Sequence, residues 1–435
     1  MPSKTTTIII VAIVVGASIT SAFLVIWLTA NQSEILKAKL ECVFRAQNEA
    51  EMSNCFTQSF KKNIPMDYMF YLIDEYRTYY GDFINVTVSS IPNANGYYEY
   101  NATFEWATMS GTATINRLFR KIDSLYIGWF IFTPSYIESL TLDSIYAEFE
   151  NLPSKGSLLV ARDDIILHTY NASGRMAVAS TFKLFVLHAL TEKINTDPTV
   201  DWTTTYPVQD KYKSLFTGGI TNLPNGTLVT LKTYADFMIN ISDNSATDHL
   251  IHYLGRTYVE SFLPPLYELP LLTTAESFKL RYLISDAELN TYLSMSLSEK
   301  RNYLDTTIAN LDINDIDLNQ DWTANIAVEY QVEWIFNITE IYNIQKLTKQ
   351  SSSTQMNWGL AWIGMNWTQV SYKGGSDIGV YAMAHAVRAE NGSWYYVTFI
   401  ANNYQEFLLD YNIYVIGQIG YEAICMKIMR KLATL

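Results

Sequence analysis

Residues 177–190 read AVASTFKLFVLHAL, a run in which Lys183 is the one charged side chain among mostly apolar neighbours. The apolar residues recur at helical spacing, so the run predicts a buried helix that begins near Ala179. Positions i and i+3 share a helix face, which places the Lys183 amine within reach of the Ser180 hydroxyl. A buried lysine needs a partner or a lowered pKa, and a neutral amine can activate a serine nucleophile. On its own, Ser-x-x-Lys is also common on ordinary helix surfaces.

A second motif, Ser242-Asp243-Asn244, stands in NISDNSATDHLIHYLG, 62 residues after Ser180. Its simplest interpretation is a helix N-cap, since side chains of these three types accept hydrogen bonds from the free amides of a first helical turn. Taken alone, the motif does not distinguish a cap from a site.

A third motif, Lys373-Gly374-Gly375-Ser376, follows the predicted strand TQVSY and precedes IGVYAM. Paired glycines in strand-like sequence indicate a bulge, a turn or the close approach of another group. An ordinary hairpin turn is the alternative.

The order of the three motifs is more specific than any one of them. Ser-x-x-Lys, Ser-Asp-Asn and Lys-x-Gly in this order resemble the active-site signature of penicillin-binding proteins and class A β-lactamases. The segments LLTTAESFKLRYL, YQVEWIF and YKGGSDIGV are similar to one branch of that superfamily. The branch includes the β-lactamase-like protein of the clavulanic acid cluster and a mycobacterial lipoprotein relative, which join a cystatin-like domain to a β-lactamase-like domain.

The resemblance implies a role for each matching residue. Ser180 would be the acylated nucleophile and Lys183 its base. Ser242 would relay a proton to the leaving group, Asn244 would contact the substrate amide, and Lys373 would attract a substrate carboxylate.

The strand after Lys373 would complete the substrate site through Gly374, Gly375 and Ser376. The amides of Ser180 and of a residue after Gly375 would form the oxyanion hole. Class A enzymes usually have Thr where this chain has Gly374, so a hydroxyl contact is lost, and Ser376 is the replacement that the sequence offers.

The deacylating glutamate of class A enzymes has no clear counterpart. Glu276, 34 residues after Ser242, is the nearest candidate. The alternative for Glu276 is a capping box with Thr273 at a helix N-terminus. The sequence therefore predicts acylation of Ser180 and leaves open how fast an acyl group is removed.

The N-terminus predicts a membrane anchor. Residues 8–30 read IIIVAIVVGASITSAFLVIWLTA without a charge, which is long enough to cross a bilayer as a helix. Residues 1–7 would form a short cytoplasmic tail, and a cleaved signal peptide is the alternative. Either interpretation puts the rest outside the cytoplasm, in agreement with nine N-x-Ser/Thr sequons at Asn31, Asn85, Asn101, Asn171, Asn225, Asn240, Asn337, Asn366 and Asn391.

Residues 31–134 predict a small α+β domain, and the resemblance implies that it is cystatin-like. Residues 34–80 carry apolar residues at helical spacing, and the strand-like runs 83–90, 97–109, 111–120 and 125–132 follow. Whether Cys42 and Cys55 form a disulfide is left open by the sequence.

Residues 135–435 predict the β-lactamase-like domain, of α+β class. A helix over 136–152 and a hairpin over 157–170, turning at Asp163-Asp164, come first. A mostly helical stretch leads to predicted strands at 357–365, 368–375, 378–387 and 394–402, and a helix over 411–432 ends the chain. Strands at both ends with helices between indicate one antiparallel sheet with an inserted helical subdomain.

Composition narrows the function. The chain has 435 residues and a formal net charge of −13, which argues against a nucleic-acid partner. His249 and His252 share a helix face but lack a third metal ligand, and no cofactor motif is present. We therefore expect a membrane-anchored, extracytoplasmic serine hydrolase acting on a β-lactam, an ester or a D-alanyl peptide. A penicillin-recognising protein with little turnover and a non-catalytic scaffold are the alternatives.

Overall fold

The computed structural model describes residues 32–152, 155–216, 218–317, 331–362, 365–403 and 411–435. The chain divides into two compact units, one up to Tyr136 and one from Ile137. The predicted anchor over residues 8–30 lies outside the described residues. None of the helices in the described ranges combines the length and the apolar character that a bilayer crossing requires.

The N-terminal unit consists of helices followed by a sheet, as predicted. The helices are α1 (Gln32–Arg45), α2 (Glu49–Ser53), α3 (Gln58–Asn63) and α4 (Met66–Tyr80). Four antiparallel strands then pair in sequence order: β1 (Phe83–Val88), β2 (Tyr98–Phe104), β3 (Ala107–Asn116) and β4 (Lys121–Phe132). Alternating strand residues are buried and meet aromatic side chains of the helices, for example Tyr80 on Phe130 with ring centroids 4.0 Å apart.

Two details of this unit go beyond the sequence. The predicted single strand over 97–109 is wrong, because the chain reverses at Glu105 and Trp106. Their amides donate to the carbonyls of Asp82 and Tyr80, which pins the turn to the end of α4. Cys42 and Cys55 form a disulfide, which settles the pairing that the sequence left open.

The C-terminal unit is built on a five-stranded antiparallel sheet in the order β11-β12-β13-β5-β6. The strands β5 (Lys155–Arg162) and β6 (Ile165–Tyr170) form the predicted hairpin. The other three are β11 (Gln369–Asp377), β12 (Val380–Arg388) and β13 (Trp394–Asn402). The two ends of this unit therefore complete one sheet, as predicted, and β11 is an edge strand.

Short strands and helices fill the interval between those strands. Two small sheets of two strands each are formed by β7 (Met176–Ala177) with β10 (Ile335–Phe336) and by β8 (Thr205–Pro207) with β9 (Leu228–Thr230). Helix α5 (Pro134–Ser139) contains the boundary between the two units. The helices of the C-terminal unit that follow it are α6 (Leu142–Glu150), α7 (Lys183–Thr196), α8 (Leu231–Asn240), α9 (Asn244–Leu254), α10 (Arg256–Glu260), α11 (Thr274–Tyr282), α12 (Asp286–Ser294), α13 (Leu297–Thr306), α14 (Ile338–Thr348) and α15 (Tyr411–Leu432).

Two predicted elements of this unit are wrong in part. The helix expected over 136–152 is interrupted, because Thr141 forms a capping box with Ser144 and starts α6 anew. The strand expected over 357–365 is a single 3-10 turn at Gly359–Trp362 within the described residues. There the Leu360 amide donates to Nε2 of His385, so this segment packs on the sheet instead of joining it.

Helix α7 occupies the centre of the core. Its residues Leu184, Phe185, Val186, Leu187 and Leu190 are buried on all sides. The preceding Phe182 stacks on Trp334 at a centroid distance of 4.1 Å. The N-terminal half of this helix has no solvent face and is held rigidly by its neighbours, so it presents Ser180 and Lys183 in fixed positions.

Candidate active site

Ser180 lies on a 3-10 turn, Ala179–Phe182, that leads directly into α7. This agrees with a helix beginning near Ala179, with a tighter first turn than predicted. Ala179 has a φ of 43°, in the left-handed region that L-residues with a Cβ rarely adopt. Such strain is kept only where the surroundings enforce it, and it is frequent where a nucleophile must be presented at a sharp turn.

Lys183 is completely buried and its amine is fully engaged. Its Nζ donates to the Ser242 carbonyl at 2.6 Å and to Oδ1 of Asn244 at 2.7 Å, and it lies 3.4 Å from Oγ of Ser242. Burial lowers the pKa of Lys183 to about 7, although Asp248 and Asp243 oppose the shift. No hydrogen bond joins the side chains of Lys183 and Ser180, both of which the structure describes. The direct contact that helix spacing predicted is therefore not formed in this state.

The Ser242-Asp243-Asn244 segment acts both as a cap and as a wall of the site. Asp243 is the N-cap of α9 and accepts from the Ala246 amide, and its second oxygen accepts from the amides of Gly219 and Ile220. The capping alternative is thus correct for Asp243. The flanking residues Ser242 and Asn244 face Lys183, and Ser242 has a φ of 60°.

Lys373 approaches Ser242 from the edge strand β11. Its Nζ donates to Oγ of Ser242 at 3.0 Å and to the Gly374 carbonyl. Its exposed fraction is 2%. Burial holds the pKa of Lys373 well below that of a free lysine, and the positive charge of the neighbouring Lys183 lowers it further. The Ser242 hydroxyl therefore lies between two buried amines, a suitable position for passing a proton.

Gly375 brings β11 against the nucleophile turn. A Cβ added at Gly375 would lie 2.3 Å from the Val178 carbonyl oxygen and 2.8 Å from the Ser180 amide nitrogen. Only glycine fits at this distance, because both contacts are backbone atoms. Four of the predicted residues, Ser180, Lys183, Ser242 and Lys373, thus belong to one region, while Ser376 is exposed further along the strand.

Gly375→Ala should push the edge strand away from Ser180. We expect destabilisation by about 1–3 kcal/mol from overpacking and a loss of acylation on the order of 10²-fold from misplacement of the reacting groups. Acylation can be followed with a fluorescent penicillin on gels. The matched control is Gly218→Ala, where the added Cβ would meet only the side chain of Asn222 at 3.2 Å. Equal acylation rates for the two variants would contradict the assigned packing.

Glu276 forms a capping box with Thr273, which was the alternative to a role in deacylation. Its Oε2 accepts from the Thr273 amide at 2.8 Å and from Arg256 at 2.9 Å, and its Oε1 accepts from Arg256 at 2.5 Å. Burial alone would raise the pKa of the Glu276 carboxyl, but the contacts with Arg256 and Thr273 outweigh burial and hold this pKa below its usual range. Both oxygens therefore have structural partners on α11 and α10, and the geometry gives Glu276 no contact with Ser180 or Lys183.

Asp248 is a site-adjacent carboxylate that sequence reasoning missed. It lies on α9 one turn after Asn244 and accepts from the Thr274 amide at 2.7 Å and from the Ala275 amide at 2.9 Å. Burial raises the pKa of Asp248 to about 7 in spite of these bonds. The available signal was an acidic residue at i+4 from Asn244, on the same face of the predicted helix.

A buried charge cluster at the end of β11 was also missed. Arg281 of α11 donates to Asp377 at 2.8 Å and lies 3.4 Å from Glu333. No local pattern could have paired them, since Arg281 and Asp377 are 96 residues apart.

The two histidines of α9 have structural contacts. His249 accepts from the Gln209 amide through Nε2 and bonds the Ser245 carbonyl through Nδ1. His252 stacks on Tyr212 with ring centroids 3.7 Å apart. Across the described ranges, no group of three His, Cys, Asp or Glu side chains is arranged to hold a metal ion.

Comparison with known proteins gives one family match. Residues 159–277 match the model of the β-lactamase enzyme family. The match starts in β5 and ends within α11, so it contains Ser180, Lys183, Ser242 and Asn244 and stops before Lys373. Among curated proteins, none matches the chain in sequence.

Solved structures with a related fold are similar at low identity. PBP-A shares 13% identity with this chain, covering 68% of this chain and 96% of PBP-A with a TM-score of 0.44. The β-lactamase of Sphaerobacter thermophilus shares 14% identity, covering 66% and 98%, with a TM-score of 0.40. The β-lactamase of Francisella tularensis shares 15%, covering 68% and 98%, with a TM-score of 0.42.

The predicted fold class is confirmed in its coarse form. The family match and the observed sheet, with helices between its two halves, indicate an α+β fold of the class A β-lactamase kind for the C-terminal unit.

Proposed function

We propose that this chain is a serine hydrolase of the β-lactamase and penicillin-binding type, which forms an acyl-enzyme on Ser180. One observation carries the proposal: the Ser242 hydroxyl lies between the buried amines of Lys183 and Lys373, at 3.4 Å and 3.0 Å, next to the turn that presents Ser180. Burying two lysines beside one hydroxyl lowers the stability of the fold. The same arrangement allows protons to pass between the two amines through the Ser242 hydroxyl, which is a catalytic use that explains the cost.

The reaction follows from these groups. In its neutral form, Lys183 accepts the proton of the Ser180 hydroxyl as the oxygen attacks the substrate carbonyl carbon. Backbone amides at Ser180 and on β11 after Gly375 would hold the carbonyl oxygen as it becomes negative. Ser242 passes a proton to the leaving nitrogen or oxygen when its bond to the carbonyl carbon breaks, and Lys183 and Lys373 resupply that proton. Water then hydrolyses the acyl ester and returns Ser180.

Before this acylation, the Lys183 amine must exchange partners. It now donates to Ser242 and Asn244, so a rotation about its side-chain bonds is needed to bring Nζ to the Ser180 hydroxyl. Hydrogen bonds of catalytic groups commonly tighten only when substrate is present, and an entering amide would compete for Asn244. Asn244 would in that state contact the substrate amide.

The location and partners of the enzyme are part of the proposal. The apolar run over residues 8–30 would anchor the chain as a single-pass membrane protein with both units outside the cytoplasm. Exposed sequon residues such as Asn85, Asn101, Asn225 and Asn391 would be available to N-glycans. The N-terminal unit would be the cystatin-like domain of the resembled branch. We expect no nucleic-acid partner and no cofactor.

A second candidate is a penicillin-recognising protein that acylates and hardly turns over. The observation that favours it is the engagement of Glu276 by Arg256 and Thr273. The hydrogen bonds of Lys183 go to Ser242 and Asn244, and no carboxylate of the described part is among its hydrogen-bond partners. A water molecule at the acyl carbonyl would then lack a strong base.

Intact-mass measurement of the full chain after incubation with a fluorescent penicillin, and separately with a fluorophosphonate, tests the proposal. We expect a single adduct in the wild type and in the exposed control Ser294→Ala, and a loss of at least about 10³-fold in Ser180→Ala. An adduct that decays with product release supports the hydrolase, whereas a persistent adduct supports the second candidate. No adduct with either reagent would leave a non-catalytic scaffold and overturn both.

A further inference from the structure

A cavity of about 120 Å³ lies in the C-terminal unit, and none of the residues assigned to the active site is among its described lining residues. Its walls come from the segment between α10 and α11, from α12 and α13, and from the residues that lead into β10. The side chains of Leu272, Leu293 and Val332 make part of the lining apolar. A cavity of this size accepts a molecule of a few non-hydrogen atoms, since benzene fills one of about 150 Å³ in another protein.

Two phenol hydroxyls line this cavity without a partner from the chain. Tyr267 and Tyr292 are both lining residues, and neither hydroxyl makes a hydrogen bond to any other described group. The ring of Tyr267 packs on Phe336 with centroids 5.0 Å apart, and Tyr292 is almost fully buried. Burial is the main cause that raises the pKa of both phenols, so both keep their protons at neutral pH. Each hydroxyl can therefore donate to an acceptor that enters the cavity.

Lys300 brings a positive charge to the same cavity. It lies on α13 and is half-buried, and its Nζ is 5.6 Å from the centroid of the Tyr292 ring. Within the described ranges of the chain, the Lys300 amine forms no ion pair and no hydrogen bond. Its charge is thus available to an anion, and hydrogen bonds between an ammonium and a carboxylate are among the strong ones.

The acidic residues around the cavity do not neutralise this amine. Glu333 is a lining residue whose carboxyl oxygens are enclosed and make no hydrogen bond. Burial raises the pKa of Glu333 to about 8, so this carboxyl is neutral at pH 7. Glu260, behind the Tyr267 ring, is paired with Arg301. Glu268 also lines the cavity but is exposed, so solvent and salt screen its charge.

The cavity adjoins the strand pair behind the nucleophile turn. Ile335 lines it and pairs with Ala177, three residues before Ser180. The neighbouring carbonyl of Trp334 accepts from the Val178 amide. A ligand that packs against this segment would bind the folded unit alone and would therefore stabilise it against unfolding.

We propose that this cavity is a binding site for a small aliphatic carboxylate. The carboxylate is bound by the Lys300 amine and by the hydroxyls of Tyr267 and Tyr292. The alkyl chain packs on the apolar part of the lining, as is usual for pockets with few polar groups. No serine, threonine, cysteine or histidine is among the described lining residues, so the ligand is held and not converted. The site is additional to the proposed function and does not depend on it.

The test titrates the full-length protein with butyrate and follows the ligand by saturation-transfer NMR. Butyramide and butylamine are neutral and cationic probes of the same chain length. We expect saturable binding of butyrate with a dissociation constant on the order of 1 mM, within the range for so small a ligand. Butyramide and butylamine should bind at least about 10-fold more weakly, because neither brings a negative charge to Lys300.

Two conservative variants locate the site. Lys300→Met should weaken butyrate binding at least about 10-fold and Tyr267→Phe about 10-fold, as for lost hydrogen bonds to a charged group. Since neither group has a partner in the unliganded chain, the unliganded Tm of both variants should stay within about 2 °C of the wild type. Butyrate should raise the Tm of the wild type and not that of Lys300→Met. Lys193→Met, which removes a surface amine paired with Asp197, is the matched control and should bind butyrate like the wild type.

The other results contradict the inference. Butyrate that binds Lys300→Met as tightly as the wild type, or whose binding is lost in Lys373→Met but not in Lys300→Met, occupies the catalytic cleft or the surface and not this cavity. Butylamine that binds more tightly than butyrate would show a cation site instead. No saturable butyrate binding to the wild type would refute the site outright. Because the readout is binding and not acylation, each of these results leaves the proposed reaction at Ser180 untouched.

Discussion

Lys183→Met is expected to slow acylation of Ser180 by about 10³-fold, within the range that a general base contributes. Methionine keeps the length and the apolar stem of lysine, so it fills the same buried space without the amine. The variant should bind a fluorescent penicillin covalently only at a trace rate in a time course on gels. The matched control is Lys193→Met on the same helix, where the amine pairs with Asp197 at the surface. It should acylate like the wild type.

The pH dependence of the wild type follows from the same residue. Only neutral Lys183 can accept the Ser180 proton, and its pKa is lowered to about 7 by burial. The acylation rate should therefore rise as the pH increases through about 7 and level off above it. A rate that falls over pH 6–8, or that stays level in the wild type while Lys183→Met is inactive, would contradict a base with this pKa.

Removal of Lys183 should also stabilise the fold. The folded pKa is lower than the unfolded pKa of about 10.5 for lysine, so the native state holds its proton less tightly than the unfolded chain does. The resulting loss of stability is complete below the folded pKa of about 7 and disappears as the pH rises through the unfolded pKa. Lys183→Met should thus raise the free energy of unfolding more at pH 6 than at pH 10. A variant that is both inactive and less stable at pH 6 would indicate misfolding instead of a lost base.

The sequence predicted what local patterns determine. The hairpin at Asp163-Asp164 and the edge strand through Lys373 were correct because alternation and turn residues act over a few positions. That the three motifs form one site was predicted from the resemblance of their order to the β-lactamase signature, and not from any local pattern. Local patterns did not predict contacts between residues that are far apart in the sequence. The amine of Lys183 donates to Ser242 and Asn244, about 60 residues away, and not to its helical neighbour Ser180.

The errors have a common physical cause. At Glu105–Trp106 the residue types favour a strand, but backbone hydrogen bonds to the end of α4 impose a turn. At 357–365 the aromatic residues also favour a strand, but Gly359 and the bond from Leu360 to His385 set a helical turn on the sheet surface. In both places a tertiary contact outweighed the local propensity, which amounts to less than about 1 kcal/mol per residue.

Arg281→Met is expected to destabilise the C-terminal unit by about 3–5 kcal/mol, as happens when one partner of a buried ion cluster is removed. Arg281 and Glu333 have fully buried side chains, and that of Asp377 is 19% exposed. Loss of the guanidinium leaves the Asp377 charge without its partner at the end of the strand that carries Lys373. Thermal unfolding should show a fall in Tm of several degrees. Arg162→Met, at a half-exposed contact of 4.0 Å with Asp163, should change the stability by less than about 1 kcal/mol.

The carboxyl of Glu333 should tolerate substitution near neutral pH, in contrast to the guanidinium of Arg281. Burial raises the pKa of Glu333 to about 8, and Asp377 adds to the rise against the effect of Arg281. The carboxyl is therefore protonated at pH 7 and resembles an amide, so Glu333→Gln should cost little there. Because the folded state keeps this proton while the unfolded chain loses it near pH 4.5, the contribution of Glu333 to stability falls as the pH rises from 4.5 to about 8.

Glu333→Gln should remove that part of the pH dependence. Measurements of Tm at pH 5, 7 and 9 for the wild type, Glu333→Gln and Arg281→Met separate the two roles. If Arg281→Met unfolds at the same temperature as Arg162→Met, the cluster does not hold α11 to β11. If Glu333→Gln is as damaging as Arg281→Met at pH 7, the carboxyl is ionised in the fold and pairs with Arg281 as a charge. If Arg281→Met is strongly destabilised and Glu333→Gln is not, then Arg281 pairs mainly with Asp377. The end of β11 is in that case held to α11 by this one ion pair.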